Sequence, residues 1–118
     1  MGIVIALLVI ILAFLAFLQF FPLVQICGYS MFPTLKDGEF YLGRRLFDKS
    51  NLIVGKIYIY RPPYGSLEEK FVIKRLAEIK NGKCYFLGDN KNDSYDSRYY
   101  GYVDCDRVVA QLITRKEV

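Results

Sequence analysis

The chain has 118 residues, a net charge of +4, a pI near 9.0 and no histidine. That leaves room for one domain beside a short N-terminal segment, and the lack of histidine excludes a Ser-His-Asp triad. Sixteen Lys and Arg are interspersed with twelve acids rather than gathered in a patch. Nucleic acid is therefore not an expected partner, whereas an anionic bilayer surface suits the charge.

From Ile3 to Phe21 the chain is apolar except for Gln19. At 1.5 Å per residue this run reaches about 28 Å, close to the hydrocarbon thickness of a bilayer. A cleaved signal peptide is the competing reading, but its apolar core is only about 7–15 residues long, behind a basic start and before small residues. Here no Lys or Arg precedes the run, and Leu18-Gln19-Phe20-Phe21-Pro22 is bulky where small residues are needed. The expectation is a retained single span over residues 1–22, stopped by Pro22, followed by a β-rich domain over residues 23–118. The nearest charge to the span is Lys36, on its C-terminal side. By the positive-inside rule this leans towards a cytoplasmic domain.

Beyond the span the pattern is strand-like. Leu23 to Ile26 leads into a turn at Gly28-Tyr29-Ser30, and Glu39 to Leu42 follows the Asp37-Gly38 turn signal. Lys56 to Tyr60 stops at Pro62-Pro63, where the missing N–H groups end a strand. Glu69 to Ile79 reads as a long strand, returned by Lys83 to Leu87 across an Asn81-Gly82 hairpin turn. Arg107 to Thr114 is the last strand. Short strands at this spacing predict a mostly β fold, a small antiparallel barrel or sheet.

Three stretches carry candidate chemistry. The first is Ser30-Met31-Phe32-Pro33-Thr34-Leu35, where Gly28 and Pro33 shape a tight turn around the Ser30 hydroxyl. Without histidine, a nucleophilic serine needs another base. The second stretch offers one at Lys74, in Phe71-Val72-Ile73-Lys74-Arg75. In an alternating strand Lys74 shares a face with Val72 and Leu76 while Arg75 points away. Apolar flanks disfavour an ammonium ion, and a lysine base has to be neutral. The third runs from Gly88 to Gly101. Its acids do not make an EF-hand, because the third and sixth positions counted from Asp89 are Lys91 and Ser94. A structured polar loop is the better expectation, with an Asp96–Arg98 ion pair and a Ser94 hydroxyl available to an amine.

Cys27, Cys84 and Cys105 contain no Cys-x-x-Cys pair, so no zinc site is expected. Cys84 and Cys105 either bridge, in an oxidising compartment, or remain half-buried thiols. The residues leave both open.

Ser-Met-Phe-Pro-Thr-Leu, Val-Ile-Lys-Arg and Gly-Asp-Asn-x-x-x-Ser-x-Asp-Ser-Arg-x-x-Gly, in that order behind an apolar anchor, resemble the motif boxes of type I signal peptidases. The resemblance runs from about Cys27 to Val109. It implies a membrane-bound serine endopeptidase that removes leader peptides from exported preproteins after small residues. It makes Ser30 the nucleophile and Lys74 the general base. Ser94 orients the amine, Asp96 and Arg98 form a supporting pair, and Gly88 and Asp89 shape the loop. Gly28 stands where some relatives carry a serine that joins the oxyanion hole, which leaves stabilisation mainly to the Ser30 backbone N–H. Preprotein leaders, the bilayer and the export machinery are the implied partners, with no metal or organic cofactor. The implied location is the cell membrane, single-pass, with the domain outside the cytoplasm, against the lean of the charge. Two alternatives share these features. One is a specialised leader peptidase for pilin or conjugation clients; the other is a non-catalytic, membrane-anchored peptide-binding module.

Overall fold

The computed structural model describes residues 1–64 and 71–114. Helix α1 (Gly2–Phe20) forms because the run offers unbranched and branched apolar residues with no internal breaker, and it ends just before Pro22. Its mean hydropathy reaches 3.1, and none of its residues is buried against the rest of the chain. A soluble core helix would hide one face; this one hides none and is long and apolar enough to cross a bilayer. With the helix projecting, the radius of gyration is 16.3 Å, against about 13.5 Å for a compact chain of this length.

The remainder is an antiparallel sheet of β1 (Leu23–Gln25), β2 (Phe40–Arg45), β3 (Ile57–Tyr60), β4 (Val72–Lys80), β5 (Lys83–Leu87), β6 (Val103–Asp104) and β7 (Val108–Ile113). Its order is β1-β2-β7-β3-β4-β5-β6. The sheet curls into a half-barrel, with β1 and β6 at the open edges. β4 and β5 are joined by Asn81-Gly82, both at positive φ (51° and 74°), the conformation a two-residue hairpin turn demands.

The central strand β3 is buried on both faces. Ile57 and Ile59 join Ile26, Met31, Leu35, Ala110 and Leu112 in one cluster, roofed by the segment that carries Ser30. Tyr58 and Tyr60 join Leu76, Cys84, Phe86, Val103 and Val108 in a second, on the opposite face. A register shift between Ile59 and Tyr60 lets Val108 join the second cluster while Ala110 stays in the first. One extra residue reverses which face the rest of a strand presents.

The strands expected from the sequence are present, with ends moved by no more than three residues. Glu69 and Lys70, the expected start of the long strand, lie outside the described residues. Two features of the polar loop were not foreseen: the one-turn helix α2 (Ser97–Tyr100), and β6 with the 3-10 turn Cys105–Arg107 that follows it. Cys84 and Cys105 are joined by a disulfide with Cα atoms 5.5 Å apart, and Cys27 is a free, exposed thiol. The bond closes a loop that contains the whole third motif.

Candidate active site

Ser30 sits in a turn held from below and from the side. Met31 and Leu35, 2% and 0% exposed, plug the first core cluster. The Leu35 N–H donates to the Met31 carbonyl at 2.9 Å, and the Phe32 N–H donates to the Tyr29 carbonyl at 3.1 Å. The Phe32–Pro33 peptide is cis. Gly28 has φ +93°, a conformation side chains resist, and its N–H donates to Asp37 Oδ1 at 2.8 Å. From the third motif, the Asn90 N–H donates to the Ser30 carbonyl at 2.9 Å and Asn90 Nδ2 donates to the Tyr29 carbonyl at 3.0 Å.

Lys74 lies in β4 opposite Tyr58 of β3 and is 6% exposed. Its strand neighbours Val72 and Leu76 pack in the second cluster, as alternation predicts. Among the described residues Lys74, Asp96 and Ser97 are the buried polar or charged side chains. Ser30 and Lys74, 44 positions apart, line one open pocket of about 410 Å³, together with Ile26, Gly28, Tyr64, Phe71, Ile73, Asp93 and Tyr95.

Beside this pocket the third motif is locked by two of its three aspartates, Asp89 and Asp96. The Asp96 carboxylate accepts five hydrogen bonds: from the Gly88 N–H, the Ser94 hydroxyl, the Arg98 N–H, and Arg98 Nε and Nη2, all at 2.8–3.1 Å. It also caps α2. Burial by itself would raise the Asp96 carboxyl, but the Arg98 guanidinium, the Gly88 N–H and the Ser94 hydroxyl outweigh it and bring it to about 2. Ser94 donates its hydrogen bond to Asp96, and with Gly88 and Asp96 it stands beside the pocket rather than lining it. A Cβ added at Gly88 would overlap the Ser94 hydroxyl and come within 2.6 Å of the Ser30 carbonyl. The loop approaches the Ser30 turn this closely only because residue 88 has no side chain.

Asp89 does more than shape its loop. It accepts two hydrogen bonds from Arg75, from Nε and Nη2 and both at 2.8 Å, and one from the Thr34 hydroxyl at 2.6 Å. These outweigh the burial that would raise it, and its carboxyl lies below the usual range. Thr34 belongs to the first motif, Arg75 to the second and Asp89 to the third, so one carboxylate ties all three. Arg75 Nη1 also donates to the Gly55 carbonyl at 2.5 Å. Sequence reasoning singled out neither Thr34 nor Arg75 for this clamp; the one available signal was the Lys-Arg pair. It also passed over Asn90, Asp37 and Ser97, whose hydroxyl accepts from the buried Phe86 N–H at 2.9 Å. Among the described residues no group of three or more His, Cys, Asp or Glu could hold a metal ion.

Residues 65–115 match the family model described as "Signal peptidase, peptidase S26". The match takes in Lys74 and the third motif, while Ser30 lies before it. The resemblance to type I signal peptidases is borne out. A curated protein of Synechocystis sp., described as "Probable signal peptidase I-2", is 24% identical over 81 residues, which is 69% of this chain and 31% of that protein. The chain thus matches about a third of the length of that signal peptidase.

Proposed function

We propose that the chain is a membrane-anchored serine endopeptidase that removes leader peptides from exported preproteins. The observation that carries this reading is that Ser30 and a buried Lys74, far apart in sequence, line one pocket. The strand neighbours of Lys74, Val72 and Leu76, pack in the second core cluster, and a lysine amine so placed is the candidate general base. In the proposed reaction an extended substrate segment lies in the pocket. Lys74 Nζ takes the Ser30 proton as Oγ attacks the scissile carbonyl. The tetrahedral intermediate collapses as the protonated amine gives its proton to the leaving nitrogen, leaving the leader as an ester on Ser30. Water, deprotonated by the same amine, then releases it. The Ser30 backbone N–H serves the developing oxyanion, and Ser94 with Asp96 and Arg98 holds the surrounding loop.

The apolar helix α1 supports anchoring beside substrates that themselves emerge from a bilayer. The Cys84–Cys105 bond supports an oxidising, extracytoplasmic setting, against the weak lean of Lys36. The test is cleavage of a labelled preprotein by the detergent-solubilised chain beside Ser30→Ala and Lys74→Ala. Wild type should cut after a small residue, and each variant should lose at least about 1,000-fold in rate. Activity that survives in Ser30→Ala would sink the mechanism. Failure of folded wild type to cut any leader would favour the peptide-binding reading.

A further inference from the structure

We propose that Tyr64 and Tyr95 form an aromatic subsite for the side chain of the second residue after the scissile bond. The inference rests on the peptidase reading above and concerns the part of the pocket that this reading leaves unassigned. One end of the pocket carries Phe71, which also lines a second pocket at the foot of α1 beside Leu18 and Pro22. That end faces the anchor. Tyr64, Tyr95 and Asp93 line the first pocket but not the second. A leader whose apolar part stays in the bilayer enters on the Phe71 side, so the released chain leaves past the two tyrosines. In an extended chain side chains alternate, so the residue before the cut and the second residue after it face the same way. The first faces Ser30 and Lys74, and the second therefore meets the two tyrosines.

The rings there are fixed yet accessible. Tyr64 stands edge-on to Tyr95, with centroids 5.5 Å apart and planes at 74°, and Tyr95 stacks on Tyr99 at 5.2 Å. Both Tyr64 and Tyr95 also contact Tyr100. The Tyr100 hydroxyl hydrogen-bonds that of Tyr60 at 2.5 Å, and Tyr60 stacks on Phe86 in the core. Tyr95 nevertheless remains 55% exposed. A ring already immobilised loses little entropy when a second ring packs on it, and aromatic pairs prefer these offset and edge-on geometries. Asp93 invites a cation instead, but it is exposed, and a solvated carboxylate adds little.

The experiment compares leader peptides that differ only at that position, carrying Phe, Lys or Ala. With wild type, kcat/KM should be about 3- to 10-fold higher for Phe than for Ala. Tyr95→Ala should bring the ratio close to one, and Tyr95→Phe, which keeps the ring, should preserve it. An unchanged ratio in Tyr95→Ala, no preference in wild type, or Lys ranking first would overturn the proposal. A second measurement needs no catalysis: full-length Ser30→Ala is photo-crosslinked to a peptide carrying a benzophenone side chain at the same position, and the adduct is mapped by mass spectrometry. Adducts on Tyr64 or Tyr95 support the subsite; adducts elsewhere, or none, reject it. If wild type cleaves nothing, the peptidase reading fails and the crosslink alone decides the subsite.

Discussion

At the scale of single residues, one missing methyl group and two carboxylates hold the candidate site together. Gly88→Ala places a Cβ against the Ser94 hydroxyl and the Ser30 carbonyl, and backbone cannot swing away as a flexible side chain can. We expect a loss of about 1–3 kcal/mol in stability and a larger fall in cleavage, checked by thermal unfolding and preprotein assay. Asp89→Ala leaves Arg75 and Thr34 without their shared acceptor and should cost about 3 kcal/mol, read by denaturant unfolding. Asp96 sets the acid limit. Its carboxyl sits at about 2 when folded against 3.8 as a free side chain, so the folded state gains from its ionisation above about pH 4. That gain disappears as pH falls towards 2. Asp96→Asn should therefore lower stability at pH 7 and flatten the acid branch of a pH–stability curve. As candidates these residues were legible in the sequence, because Ser30, Lys74, Ser94 and Asp96 each sit in a recognisable local pattern. The Asp89–Arg75–Thr34 clamp was not, because its members are distant in sequence and each has an ordinary surface reading alone.

At the scale of elements, the loop from Gly88 to Gly101 is a structure stapled at both ends. Cys84 holds its entry in β5, Cys105 holds its exit after β6, and α2 sits between them, capped by Asp96. Closing a loop with a sequence separation of 21 is worth about 3 kcal/mol of chain entropy. Reduction should lower the unfolding midpoint accordingly and depress cleavage before global unfolding, which paired denaturant titrations and assays with and without dithiothreitol would detect. Whether the two cysteines meet was open in the sequence, since it depends on where the chain turns between them. The one-turn helix was missed for a related reason. Four residues are too few to show a 3.6-residue period, so its signal reduces to Asp96 as a cap. The hairpin at Asn81-Gly82 was readable because its demand for positive φ is met by two adjacent residues.

At the scale of the whole molecule, an apolar rod and a half-barrel are nearly independent. α1 meets the domain through Phe20 against Phe47 and an Arg45 hydrogen bond to the Gln19 carbonyl, and buries none of its residues. A chain beginning at Phe21 should unfold within about 1 kcal/mol of the full protein. It should also lose its co-sedimentation with vesicles, while the full chain retains it. What the sequence determined by itself was whatever a short window can encode. It specified the apolar helix by composition, the strands by alternation, the turns by Gly and Pro, and the candidate site residues by type. The tertiary structure decided the rest. Strand order brings Ser30 and Lys74 to one pocket, a register shift in β7 sends Val108 and Ala110 to opposite cores, and Gly88 lets the third motif close on the first. These outcomes depend on pairings between residues far apart along the chain, whose energies come from close packing and shared hydrogen bonds that no local pattern contains.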